Sequence, residues 1–157
     1  VKFVLCFLAA LACCGVPARA ETLPAASFYD KLGKSVTVKS FAGEPVLVNL
    51  WATWCPPCID ELAALARLQK STGLRVVAVS FDRAAAEEIA AFLAKHKAEG
   101  LGVYIDHDRA VARAWKYEGL PTSYLLDARG AVVMRFDGWQ DWDDPKIRKR
   151  LQARIKP

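Results

Sequence analysis

The apolar run Val46-Leu47-Val48-Asn49-Leu50-Trp51 leads almost directly into Trp54-Cys55-Pro56-Pro57-Cys58. This junction constrains the fold more than any other stretch. The run reads as a strand buried on both faces. Two cysteines two residues apart fit on one helical turn and can close a small disulfide. A strand that delivers such a pair to the start of a helix is the arrangement of a thiol–disulfide exchange site.

The remaining cysteines have a different meaning. Lys2 supplies a positive n-region, Phe3 to Cys14 an apolar stretch about half the length needed to span a bilayer, and Ala18-Arg19-Ala20 an A-x-A cleavage site before Glu21. Residues 1–20 are therefore expected to be a cleaved signal peptide and 21–157 the exported domain. Two alternatives are retention of the leader as a membrane anchor and lipidation at Cys13 or Cys14, although Ala10 stands where a lipoprotein signal usually has Leu. Of five cysteines, Cys6, Cys13 and Cys14 fall in this leader, and only Cys55 and Cys58 remain. A bridge across two residues constrains little of an unfolded chain, so the pair is there for chemistry or for a metal rather than as a staple.

Loss of Lys2 and Arg19 with the leader lowers the formal charge from +5 to +3, which is mild and unfocused. The dense basic run is Lys146, Arg148, Lys149, Arg150, Arg154 and Lys156. It alternates with Ile147, Leu151 and Ile155 and reads as the wet face of an amphipathic helix, not an anionic-partner patch. No nucleic-acid partner is expected.

Along the chain, 21–35 reads as an irregular leading segment and Val36-Thr37-Val38 as a short strand. Val46 to Leu50 is the buried strand. A helix runs from about Cys55 to Ser71 with Ile59, Leu62, Leu65 and Ala66 on one face, ended by Gly73. Arg75 to Phe81 is a second buried strand. Ala84 to Lys97 is helical, with Ile89, Phe92, Leu93 and His96 at helical spacing. Val103 to Ile105 is a strand, and Asp108 caps a short helix through about Trp115. Ser123 to Leu126 and Ala131 to Phe136 form a hairpin over Asp127-Ala128-Arg129-Gly130. A last helix starts near Pro145. Strand–helix–strand crossovers, a hairpin and a covering helix predict an α/β domain, a mixed sheet flanked by helices.

Three stretches carry a resemblance to the thioredoxin superfamily, and within it to the TlpA/ResA-like thiol–disulfide oxidoreductases. They are VLVNLWATWCPPC at 46–58, GLPTSYLLDARGAVV at 119–133, and the helix and strand at 84–105, similar to the αβ insertion that separates this family from plain thioredoxin. The resemblance implies a thioredoxin-like fold, dithiol–disulfide exchange, and a cis Pro121 lying against the disulfide. The family includes reductases of apocytochrome c haem-binding cysteines and others that serve copper-site assembly.

Cys55, at the helix N-terminus, is expected to be the attacking thiol, favoured as thiolate by unpaired N–H groups and the macrodipole. Cys58, one turn further in, would resolve the mixed disulfide. Pro56 and Pro57 stiffen the loop, and Pro56 withholds a backbone N–H from the sulfurs, which pushes the couple toward reducing potentials. Plain thioredoxins carry an Asp on the preceding strand to deprotonate the buried cysteine. Here that position is Asn49, and Glu61, matching a Glu of ResA-like proteins, is expected to take over; the alternative is an exposed helix Glu. Leu120 and Pro121 present a backbone edge for an extended substrate. Trp51 reads as core and Trp54 as an apolar docking rim. Trp139 and Trp142 fit either core lids or a contact surface.

A structural zinc site usually needs four ligands, and beyond the cysteines only His96 and His107 remain as soft donors. No metal and no cofactor other than the Cys55–Cys58 disulfide is expected. The leading expectation is an exported, extracytoplasmic, monomeric reductase of protein disulfides, acting on apocytochrome c or a copper-site protein and supplied by a membrane thiol donor. The alternatives are a disulfide-forming oxidase, which uses the same residues at a different potential, and a copper-binding chaperone on the same fold.

Overall fold

The computed structural model describes residues 21–155. The leader assigned to 1–20 lies outside the described residues, as do Lys156 and Pro157.

Among the described residues, seven strands form one mixed sheet. In chain order the elements are β1 (Phe28–Asp30), β2 (Ser35–Val36), a 3-10 turn (Val38–Phe41), β3 (Val46–Trp51), α1 (Pro56–Thr72), β4 (Arg75–Ser80), α2 (Ala86–Lys95), β5 (Tyr104–Ile105), α3 (Ala110–Ala114), β6 (Thr122–Leu126), β7 (Val132–Asp137) and α4 (Pro145–Ile155). The sheet order is β2-β1-β5-β4-β3-β6-β7. The β3–β4 and β4–β5 pairs are parallel, and the remaining pairs are antiparallel.

β3 and β6 are buried along their whole length, as is β4 beyond Arg75. A strand covered on both faces has no reason to alternate, so these read as continuous apolar runs. Leu47, Leu50 and Trp51 of β3 and Leu62, Leu65 and Leu68 of α1 are among the core side chains with no solvent exposure. Each stabilises the fold by roughly 1.5–3 kcal/mol relative to exposure. The buried face of α1 is Cys58, Glu61, Leu62, Ala64, Leu65 and Leu68. The stripe is therefore rotated around the helix from the expected one, to the side of Cys58 and Glu61, and Ile59 and Ala66 are only half-buried. Gly73 ends α1 in the left-handed conformation at φ 73°, where a residue without Cβ carries no steric penalty.

Several expected boundaries are corrected. The leading segment is not irregular throughout: β1 and β2 form a small hairpin, and Thr37 and Val38 leave the strand for the 3-10 turn. α2 spans Ala86–Lys95, shorter than the expected 84–97. The short helix near 110 is capped by Asp106, not Asp108. The Asp106 carboxylate accepts the N–H groups of Val111 at 3.1 Å and Ala112 at 2.9 Å, because Arg109 takes a left-handed turn just before the helix. Asp108 instead accepts the Tyr29 hydroxyl. No helix among the described residues is long and apolar enough to cross a membrane.

Candidate active site

β3 carries the chain to one end of the sheet at Trp51. A tight turn follows, closed by the Cys55 N–H donating to the Ala52 carbonyl at 3.2 Å, and α1 begins at Pro56. Cys55 is the N-cap residue, in extended backbone conformation. It is disulfide-bonded to Cys58, with the two Cα atoms 5.3 Å apart. Cys55 keeps 5% of its surface exposed and Cys58 none, the order expected for an attacking and a resolving sulfur.

A helix usually opens with four backbone N–H groups lacking partners. All four positions are accounted for here. The Cys55 N–H is used in the preceding turn, Pro56 and Pro57 have none, and the Cys58 N–H donates to the Cys55 carbonyl at 3.0 Å. The expectation that unpaired amides stabilise a Cys55 thiolate is therefore corrected: the first turn holds no spare backbone donor. The effect assigned to Pro56 extends to Pro57.

The Leu120–Pro121 peptide bond is cis, as the resemblance implies. The register pairs Leu50 with Thr122, which brings Pro121 level with Trp51. The Gly138 N–H, just past β7, donates to the Pro121 carbonyl at 2.9 Å. The ends of β3 and β7 and the start of β6 therefore meet beside the cysteine turn. Leu120 is half-buried and Pro121 buried.

Glu61 lies one turn after Cys58 on the same buried face, with 1% of its surface exposed. It is not an exposed helix acid. Oε1 accepts the Asn49 side-chain amide at 2.7 Å, and Oε2 accepts the Gln140 backbone N–H at 3.0 Å. Asn49 also donates to the Ser123 hydroxyl at 2.9 Å. Burial drives the Glu61 pKa up to about 7, while the hydrogen bonds from Gln140 and Asn49 and the nearby Trp142 indole pull it down. The Trp142 N–H approaches the carboxyl outside regular hydrogen-bond geometry and has no other partner, and Asn49 Oδ1 is likewise buried without one. A carboxyl with a pKa near neutrality, one turn from a buried sulfur, is equipped to exchange a proton with it.

The tryptophans separate cleanly. Trp51 is core and Trp54 is 64% exposed beside the disulfide. Trp142 is core, packed edge-on against Phe136 with ring centroids 5.2 Å apart, whereas Trp139 is 51% exposed. His96 stacks on Phe92 at 4.5 Å, and His107 lies against Tyr29. Gln140 had no signal in the sequence, because its contribution is a backbone N–H.

Residues 18–151 match the Redoxin family. The chain belongs to that family, on the thioredoxin fold, and is TlpA/ResA-like. It is 31% identical over 116 residues to the thiol-disulfide oxidoreductase ResA of Bacillus thuringiensis, a match covering 71% of this chain and 65% of that protein. It is 34% identical over 116 residues to the thioredoxin-like protein YneN of Bacillus subtilis, covering 71% and 67%. The chain thus spans slightly less than two thirds of that ResA. Among solved structures, a putative thiol:disulfide interchange protein DsbE from Chlorobium tepidum superposes with a TM-score of 0.74 at 28% identity, covering 87% of this chain and 97% of that one.

Proposed function

We propose that this chain is an exported thiol–disulfide oxidoreductase that reduces protein disulfides. The observation that carries the reading is the Cys55–Cys58 disulfide at the start of α1 with a buried carboxyl, Glu61, one turn beyond the inner sulfur. In the reduced protein the Cys55 thiolate attacks a substrate disulfide. A mixed disulfide forms and one substrate thiol leaves. Glu61 takes the Cys58 proton, and the Cys58 thiolate attacks the Cys55 sulfur. The Cys55–Cys58 disulfide forms and the second substrate thiol leaves. Two electrons have passed to the substrate, whose two thiolates take up one proton released by way of Glu61 and one from solvent, and a membrane thiol donor restores the dithiol.

The direction of electron flow rests on the empty donor positions at the head of α1. A thiolate without backbone donors is poorly stabilised, which favours the oxidised protein and makes the dithiol a reductant. Trp54 supplies an apolar rim, and Leu120 and Pro121 a backbone edge, for an extended segment of the substrate. Apocytochrome c and copper-site proteins are the substrate classes proposed, and the leader-like 1–20 supports export.

The test is the potential of the Cys55–Cys58 couple, measured on residues 21–157 equilibrated in thiol/disulfide buffers. A value near or below roughly −250 mV, in the thioredoxin range, is expected. A value near about −120 mV, the range of strong oxidants, would make the protein a disulfide donor and overturn the reductase reading.

A further inference from the structure

A carboxylate that the exchange chemistry does not use lies beneath the cysteine turn. Ser80 pairs with Trp51 at the end of β4, and the Phe81 N–H extends that ladder by donating to the Trp51 carbonyl at 2.9 Å. The next residue, Asp82, is buried. Its Oδ2 accepts the Thr53 backbone N–H at 2.9 Å and the Ser80 hydroxyl at 2.6 Å, and its Oδ1 accepts the Thr53 hydroxyl at 2.6 Å. The Asp82 N–H donates back to the Ser80 oxygen at 3.0 Å. Both donors of Thr53 therefore end on one carboxylate.

Thr53 and Trp54 are the central residues of the turn closed by the Cys55 N–H and the Ala52 carbonyl. The exposed Trp54 sits in this turn, and Cys55, whose sulfur is bonded to Cys58, closes it. Hydrogen bonds to a charged acceptor are roughly twice as strong as neutral ones, and a buried carboxylate is costly unless its donors stay in place. The turn is thus held from below by the neighbouring strand.

We infer that Asp82 is a positioning residue: through Thr53 it fixes the turn that presents Trp54 and Cys55 for disulfide exchange. The inference rests on the exchange reading above. Attack on a disulfide demands a near-linear approach of three sulfurs, and small misplacements of reacting groups cost large factors in rate.

The experiment compares wild type, Thr53→Val, Thr53→Ser and Asp82→Asn in the steady-state reduction of a disulfide-bonded peptide, with a small-molecule dithiol in excess returning each protein to its reduced form and its direct reduction of the peptide subtracted. Thr53→Val removes only the hydroxyl donor at nearly constant shape, so it tests the inference even if Asp82→Asn does not fold. The expected result is a loss of about tenfold in kcat for Thr53→Val, with KM within about twofold, and recovery to near wild type in Thr53→Ser. Equal kcat for Thr53→Val and wild type, or equal losses for the Val and Ser variants, overturns the role of Asp82 and leaves the exchange reading standing. A wild-type protein that performs no exchange overturns both.

Discussion

Asn49, in the middle of β3, donates its side-chain amide at 2.7 Å to Glu61, one turn past Cys58 in α1. The titrating group beside the inner sulfur therefore sits on the helix, and the strand provides a neutral donor that orients it. Two facing carboxyls would raise one another's pKa by like-charge repulsion. With Asn on the strand, a single acid titrates, and burial sets its value near neutrality.

Glu61 makes stability depend on pH. Its folded pKa, about 7, lies above the ordinary 4.5, so the folded state holds this proton more tightly than the unfolded state. The contribution is fully present below about pH 4.5 and is lost as pH rises through 7. At about 1.36 kcal/mol per unit, the loss amounts to about 3 kcal/mol. The oxidised protein isolates the effect, since its cysteines do not titrate. Urea unfolding at pH 5 and pH 8 should show Glu61→Gln gaining about 2–3 kcal/mol relative to wild type between the two. A constant difference would mean that Glu61 stays ionised throughout.

Restoring a donor at the head of α1 should make the couple more oxidising. Pro56→His supplies an N–H where all four opening positions are now closed. A hydrogen bond to a charged acceptor is worth about 1.5–3 kcal/mol. With about 30 mV per 1.4 kcal/mol, the potential should rise by about 30–60 mV. Equilibration with glutathione measures this, and an unchanged potential removes the role given to the missing donors.

Trp139 and Trp142, three residues apart, should respond oppositely to truncation. Trp142→Ala deletes a fully buried side chain packed on Phe136 and should destabilise the protein by about 3–5 kcal/mol. Trp139→Ala removes a half-exposed ring and should stay within about 0.5 kcal/mol. Chemical denaturation distinguishes them, and similar losses would contradict the burial pattern.

Asp106→Ala should cost about 1–2 kcal/mol, because it strips two acceptors from the start of α3. Asp108→Ala should cost less, since Asp108 is exposed. Thermal melts of both variants test the reassigned cap.

β3, α1 and the β6–β7 hairpin are legible in the sequence because their signals are local: a long apolar run, a helical stripe ended by Gly73, and a turn with Gly130 at φ 82°. The cysteine pair is legible for the same reason. β1 and β2 are not, since three- and two-residue strands carry too little pattern to stand out, and β1 is tied into the sheet by β5, about 75 residues away. Glu61 is recognisable by its spacing from Cys58, but its partners are not. Gln140 acts through its backbone 79 residues away, and Asp82 grips Thr53 across 29 residues. Contacts formed by the sheet register leave no mark on local composition.

The loop after β7 is tied down at two nearby points, with the Gly138 amide on Pro121 and the Gln140 amide on Glu61. Trp139 stands between them. Its backbone has little freedom left to lose, so a molecule that lands on this indole immobilises a side chain and not a loop. The entropic penalty of contact at this point was already met when the chain folded.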